Sequence, residues 1–373
     1  MGVSECGMVD VTRINYSEHA IMCSRLHLFF IVCLRTHSFV RQVNPALSLL
    51  EIVPGSISSD GASQICAALR ALSTAECLHA GPRIRTLDFS SNDIDGAGIE
   101  SCVELIRVSK WLQELNIYDC GLNNEDVVSL MSALRSSTSI HILNLGDNHG
   151  MSLNGFRAIG TFLSAESSLK ILHMDSNDIC GDGFEAIAEG LKVNSSLQEL
   201  HFEWVGIDST VHFFADALRL NSSLRRLNLS TNGIADDSAE LLSDALCENS
   251  GLEHLDLRYN RIGYRGAASF RDALRVNTRL RILDLSSNLI KDQGAVALGF
   301  GLVKNSSLTC LQLDCNEISD CGAVALCEAL RDNSSLTLLD FEHNQIESSI
   351  AERIREALRK NSLMEPSDSS SRL

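Results

Sequence analysis

The sequence predicts an α/β solenoid of about eleven stacked strand, loop and helix repeats, and three observations carry that prediction. One phrase recurs every 28 residues between Ile84 and Leu363, most clearly as RILDLSSNLIKDQGAVALGFGLVKNSSL (281–308) and TCLQLDCNEISDCGAVALCEALRDNSSL (309–336). Within each copy the apolar spacing changes from two to three and four. An asparagine stands near the change. Repeats of this length stack because one copy cannot bury its own apolar face and must lean on its neighbours.

The repeats open at Leu47, Ile84, Leu112, Ile140, Leu169, Leu197, Leu224, Leu252, Leu280, Leu308 and Leu336, and seven of the ten steps are 28 residues. Counting from that opening residue, positions 1, 4, 6 and 11 are apolar, as in Leu252, Leu255, Leu257 and Ile262, with Asn260 at position 9. Alternation at 4 and 6 is the period of a short strand, so positions 5 and 7 face the other side. In the second half, Ala267, Phe270 and Leu274 form one stripe of an amphipathic helix, and the small Ala273 lets it approach its neighbours. Asp236, Asp292 and Asp320 are candidate N-caps of these helices. The Asn-Ser-Ser that closes many copies (Asn194, Asn305, Asn333) suits a helix end, where asparagine tolerates the left-handed conformation.

The pattern L-x-x-L-x-L-x-x-N-x-I followed by a helix resembles the leucine-rich repeat, in its 28-residue ribonuclease-inhibitor-like subtype, over about 85% of the chain. The resemblance implies a right-handed leucine-rich-repeat solenoid shaped as a horseshoe. Its parallel β-sheet lies on the concave face and its α-helices on the convex face. It also implies that the position 9 asparagines (Asn92, Asn148, Asn177, Asn232, Asn260, Asn288, Asn316, Asn344) form a ladder satisfying buried loop backbone.

The domain reading is a leader or cap over 1–46, the solenoid over 47–363 and a polar, disordered tail over 364–373. Residues 26–34, LHLFFIVCL, are too short an apolar run to span a membrane, and no small-residue cleavage site follows before Arg35. Residues 73–83 form an insertion between the first two repeats. The terminal Ser371-Arg372-Leu373 resembles a peroxisomal address and also has the form of a PDZ ligand; chance is the competing explanation. A net charge of −17, from 31 basic and 48 acidic residues, argues against nucleic-acid or anionic-membrane binding.

Thirteen cysteines at assorted repeat positions read as reduced packing residues of a cytoplasmic protein. Four crowd one repeat, Cys310, Cys315, Cys321 and Cys327, but they fall on strand, loop, helix start and helix body and lack a C-x2-C knuckle, so no zinc site is expected from them. Asn194, Asn221, Asn305 and Asn333 match the glycosylation pattern only because the repeat generates it. No Walker loop, G-x-S-x-G or H-E-x-x-H is present, and no cofactor or metal is assigned.

Function is therefore sought at positions 5, 7 and 8, which the strand pattern leaves free. The middle repeats are the varied ones: Tyr118, Asp147, His173, Asp175, His201, Glu203 and Trp204, followed by Arg258 and Tyr259. With strands about 4.8 Å apart, His173 is expected beside His201 and Asp175 beside Glu203, a partner-contact patch, a plain solvated surface or a site for a divalent metal or acid-base chemistry, for which nothing supplies supporting outer ligands. The repeat at Ile140 gains a loop residue, and that at Leu197 loses one and carries Val205 in place of the ladder asparagine. Residues 252–281 hold seven arginines against three acids, either a site for acidic or phosphorylated partners or a solvated face.

These features predict a monomeric, non-enzymatic scaffold that binds a protein, a small GTPase or other signalling protein, through its concave face. The resemblance extends to the repeat regions of NOD-like receptors and of Ran GTPase-activating proteins, so GTPase activation is the alternative. The long acidic tail of the latter is missing here, and no catalytic residue transfers.

Overall fold

The computed structural model describes residues 13–16, 49–74 and 84–364. Most of the predicted leader, the insertion beyond Thr74 and the tail with Ser371-Arg372-Leu373 lie outside the described residues. The chain divides into two compact bodies, Met1–Asp178 and Ile179–Leu373.

In the N-terminal body the strands are β1 (Arg13–Tyr16), β2 (Leu49–Ile52), β3 (Thr86–Asp88), β4 (Glu114–Asn116), β5 (Ile142–Asn144) and β6 (Ile171–His173). Its helices are α1 (Ser59–Thr74), α2 (Ala97–Val108), α3 (Asn124–Leu134) and α4 (Leu153–Leu163). Every strand pairs in parallel with the next, and β1, inside the predicted leader, adds a strand beside β2. The C-terminal body begins with α5 (Gly181–Val193) and β7 (Glu199–His201), then α6 (Val211–Leu220), β8 (Arg226–Asn228), α7 (Asp236–Glu248) and β9 (His254–Asp256). It continues through α8 (Tyr264–Val276), β10 (Ile282–Asp284), α9 (Lys291–Leu302), β11 (Cys310–Gln312), α10 (Asp320–Asp332), β12 (Leu338–Asp340) and α11 (Ser348–Met364). These strands are also parallel, and Leu255, Leu283 and Leu311 stand in one register row. Equal repeat length places equal positions side by side.

The core follows the predicted stripes. Leu308, Leu311, Leu313, Ile318, Ala323 and Leu326 are all fully buried between sheet and helices. The position 9 ladder is present as well. Asn260 Oδ1 accepts from the Asn232 and Ile234 N–H groups while its Nδ2 donates to the Leu229 and Leu257 carbonyls. Each such side chain gives buried turn backbone the partners that the short strands cannot supply.

Three local expectations are corrected. First, Asp236, Asp292 and Asp320 do not cap their own helices. Asp236 Oδ1 accepts from Gly263 N and Gly266 N of the next repeat at 2.7 and 2.8 Å, and Asp292 does the same for Ser319 and Gly322. In the first turn of their helices, they point toward the unpaired N–H groups of the adjacent helix, so capping couples neighbours.

Second, the asparagines after the helices are extended, not left-handed, with Asn194 at φ −68° and ψ 133°. They build a second ladder. Asn221, Asn249, Asn277, Asn305 and Asn333 each donate Nδ2 to carbonyls of the preceding repeat, as Asn249 does to Leu218 O and Asn221 O. Oδ1 of the same side chains accepts from the N–H groups two and three residues on, as in Gly251 and Leu252.

Third, the left-handed conformation falls at position 8. Ten consecutive repeats, from Ser91 through Trp204 and Tyr259 to His343, have φ between 50° and 59° there. The chain must reverse its twist at that point to carry position 9 inward.

Candidate interaction face

The turn geometry limits which strand-side positions are free. At position 5 an aspartate or asparagine bonds its own turn: Asn116 Oδ1 accepts from Tyr118 N, Asn228 from Ser230, Asp256 from Arg258 and Asp284 from Ser286. Position 5, expected to be free surface, is thus mostly occupied by backbone, because the position 6 N–H still donates to the next strand while the position 7 N–H takes the position 5 side chain as its acceptor. Asp256 and Asp284 are buried, and burial pushes the Asp256 carboxyl up to about 6, with the neighbouring Asp284 adding to the shift. Glu51, His173, His201 and Gln312 are the described departures from aspartate and asparagine at this position.

In the N-terminal body, the Tyr118 hydroxyl donates to Asp147 Oδ2 at 2.9 Å; burial and that carboxylate raise the phenol's pKa. Tyr118 fits because the following repeat has Gly146 at the same position, where a Cβ would lie 2.7 Å from the Tyr118 ring. The inserted residue of the Ile140 repeat, His149, stands between Asp147 (2.9 Å) and Asp178 (3.1 Å). His173 Nδ1 lies 3.7 Å from Asp175 Oδ2 on the same strand end. Tyr118 and Asp147 are therefore joined, and so are His173 and Asp175.

His201, Glu203, Trp204, Arg258 and Tyr259 belong to the C-terminal body. His201 Nε2 lies 2.8 Å from Glu199 Oε1, and Arg226 reaches the other Glu199 oxygen at 3.2 Å. Burial pushes the Glu199 carboxyl up, but its bonds to His201 and Arg226 bring it below the usual carboxylate range. Burial, aided by Arg226, lowers the neighbouring His254. Glu203 accepts from the Thr231 hydroxyl, and Arg258 pairs with Asp256 at 3.2 Å. Trp204 and Tyr259 differ from all of these: their side chains stand in solvent, 70% and 62% exposed, on backbone at φ 54° and 56°. Glu199 and His254 were missed because only positions 5, 7 and 8 were read as free, whereas position 3, one alternation earlier on the strand, shares this face with position 5; Arg226, read as an extension of the arginine-rich repeat, belongs to the same row.

The arginine-rich repeat is compensated in part, by acids of its own and of the preceding repeat. Arg265 pairs with Asp237, Arg271 and Arg275 with Asp272, and Arg279 with Glu253. Arg281 donates to the Ser307 carbonyl. The glycosylation-like Asn194, Asn221, Asn305 and Asn333 are buried. Cys310 is half-buried and Cys327 buried, whereas Cys315 and Cys321 are exposed. Cys315 instead meets Asp314 and His343, a grouping that spacing within one repeat cannot show because His343 comes from the next.

The leucine-rich repeat family pattern matches residues 84–101, 220–243, 248–270, 276–299, 304–327 and 332–354, registering with the strands, ladders and helices described above. The chain is a leucine-rich-repeat protein. Two solved structures share the fold of this leucine-rich-repeat protein. The complex of Rad7 and Elc1 from yeast gives a TM-score of 0.58 at 17% identity, covering 83% of this chain and 73% of that one. The leucine-rich repeat-containing protein LegL7 from Legionella pneumophila gives 0.50 at 16% identity, covering 76% of this chain and 92% of that one. At such identities the likeness concerns fold alone. No curated protein matches the leucine-rich-repeat chain. Among its described residues no helix is long and apolar enough to cross a membrane.

Proposed function

We propose that this leucine-rich-repeat protein, of the ribonuclease-inhibitor-like subtype, is a non-enzymatic scaffold that holds a partner protein on its strand face, the concave side in such solenoids. The contact centres on Trp204 and Tyr259. The observation that carries this reading is their placement: both aromatics occupy left-handed backbone, which disfavours bulky side chains, and both stay largely exposed. Folding gains little from either ring. Binding would gain much, since aromatic side chains with few torsions are frequent anchors of interfaces. His201, Glu203 and Arg258 supply a polar margin, and Tyr118, Asp147, His173 and Asp175 offer a second set of polar contacts in the N-terminal body.

A structure of this fold in complex with a second protein, Rad7 with Elc1, is consistent with that use. The partner is a protein, in the class of small GTPases and other signalling proteins; the acidic surface disfavours nucleic acid. Affinity capture from a cell extract with the wild type and with Trp204→Ala/Tyr259→Ala tests the reading, with melting curves to confirm that both proteins are folded. The double variant is expected to lose partners. An unchanged set of bound proteins overturns the face, and acceleration of GTP hydrolysis by a purified small GTPase overturns the non-enzymatic role.

A further inference from the structure

We propose that Asp314, Cys315 and His343 form a binding site for a borderline divalent transition-metal ion, of which zinc is the cellular representative. Their ligating atoms, a carboxylate oxygen, a thiol sulfur and an imidazole nitrogen, all lie within 4.8 Å of one another. In a tetrahedral site with Zn–S near 2.3 Å and Zn–N near 2.0 Å, sulfur and nitrogen are about 3.5 Å apart. Small side-chain rotations on exposed residues close that gap. His343 Nδ1 and Asp314 Oδ1 are already 2.9 Å apart.

The frame beneath the three side chains is rigid. Cys315 and His343 both occupy position 8, on left-handed backbone at φ 53°, so the fold sets the direction in which each side chain leaves the turn. The two turns are tied together by the Cys315 N–H donating to the Glu342 carbonyl at 3.1 Å and the Asn316 N–H donating to Asn344 Oδ1 at 2.9 Å. A site whose ligands ride on such cross-linked turns loses little freedom when an ion binds. Binding forms a sulfur–metal bond as the thiol proton leaves to solvent, and the cation replaces the hydrogen bond between Asp314 and His343. Asp340 and Glu342 add negative charge around His343.

The donor set decides the class of ion. Sulfur and imidazole nitrogen favour zinc, cobalt or copper over magnesium or calcium, which take oxygen ligands. Three protein ligands leave a coordination position open to water or to a donor from another molecule.

The test uses the full chain, stripped with a chelator and titrated with Co²⁺ as the probe. A thiolate-to-cobalt charge-transfer band is expected to saturate at one equivalent. Cys315→Ser and His343→Gln should each weaken binding by at least about tenfold, while Cys321→Ser leaves it unchanged. In the wild type, Zn²⁺ should also slow alkylation of Cys315, read by peptide mapping, without protecting the exposed Cys180 or Cys321; this measurement needs no variant to fold. Absence of the band, a band indifferent to Cys315→Ser and His343→Gln, or unprotected Cys315 overturns the proposal.

Discussion

The repeat at Leu197 and the repeat at Leu252 solve the same structural problem differently. Leu252 has a ladder asparagine, Asn260, and an aspartate at position 5 that closes its own turn. The Leu197 repeat has Val205 and His201 in those places; its turn is held, like the others, by the next repeat's asparagine, but here Asn232 Oδ1 takes three N–H groups, those of Val205, Gly206 and Ile207, whereas Asn288 takes Ile262 in the Leu252 repeat. A three-ring cluster packs the core of this repeat, with Phe202 5.0 Å from Phe214 and Phe184 about 6 Å from both, all edge to face. A repeat can thus lose its own ladder residue and keep its turn, because the acceptor for that turn comes from the following repeat, and positions 5 and 8 of this one carry His201 and Trp204.

The largest expected effect sharpens that contrast. Asn232→Ala strands three N–H groups at once and should lower stability by about 3 kcal/mol or more, since each buried group left unpaired costs about 1–3 kcal/mol. Asn288→Ala, in a regular repeat where Asn288 accepts from Ile262, should cost clearly less in the same urea titration. Equal losses would break the comparison. Next in size is Gly146→Ala in the N-terminal body. The added Cβ would meet the Tyr118 ring at 2.7 Å and the Asp175 carbonyl at 3.1 Å, so a loss of about 1–3 kcal/mol is expected, partly relieved in a Tyr118→Ala background.

Asp256 tests the other side of the contrast, the regular position 5. Its folded pKa of about 6 lies above the ordinary value of 3.8, so the folded state holds the proton more tightly than the unfolded state. Stability from this group is therefore fully present at low pH and falls as pH rises through about 6. Asp256→Asn keeps an acceptor for Arg258 N, and should stabilise the protein by about 1 kcal/mol at pH 7.5 after allowing for the lost Arg258 ion pair. The gain should shrink at pH 5, where the carboxyl is largely neutral already. A gain independent of pH would show that burial of the charge is not its source. The smallest effect is Trp204→Asn, expected to raise stability by up to about 1 kcal/mol because asparagine accepts left-handed backbone more readily. A clear loss would mean that the ring is held by the fold rather than displayed for a partner.

Much of this was legible in the sequence. Leu255, Leu257, Ile262 and Phe270 announce strand, turn and helix because burial imposes the periods two and three to four. Asn260 and its equivalents could be assigned to a ladder through the family resemblance. The direction of capping by Asp236 was not legible, because spacing along one chain does not reveal which helix end a side chain faces. Nor was the conformation at position 8: Trp204, Thr231, Tyr259 and Cys315 have no composition in common that favours left-handed backbone. Trp204 is exposed, and for the arginine-rich repeat the acids within it, Asp272 and Glu253, could be counted in the sequence, whereas the pairing of Arg265 with Asp237 of the preceding helix could not.

The sequence by itself determined the repeat, its register and the buried stripe, since these depend on the spacing of apolar residues within one copy. Only the tertiary structure decided what passes between copies: the two asparagine ladders, the Asp236 and Asp292 caps on neighbouring helices, and the meeting of Cys315 with His343. Those contacts join residues 25 to 36 positions apart, and stacking, rather than local periodicity, brings them within bonding distance.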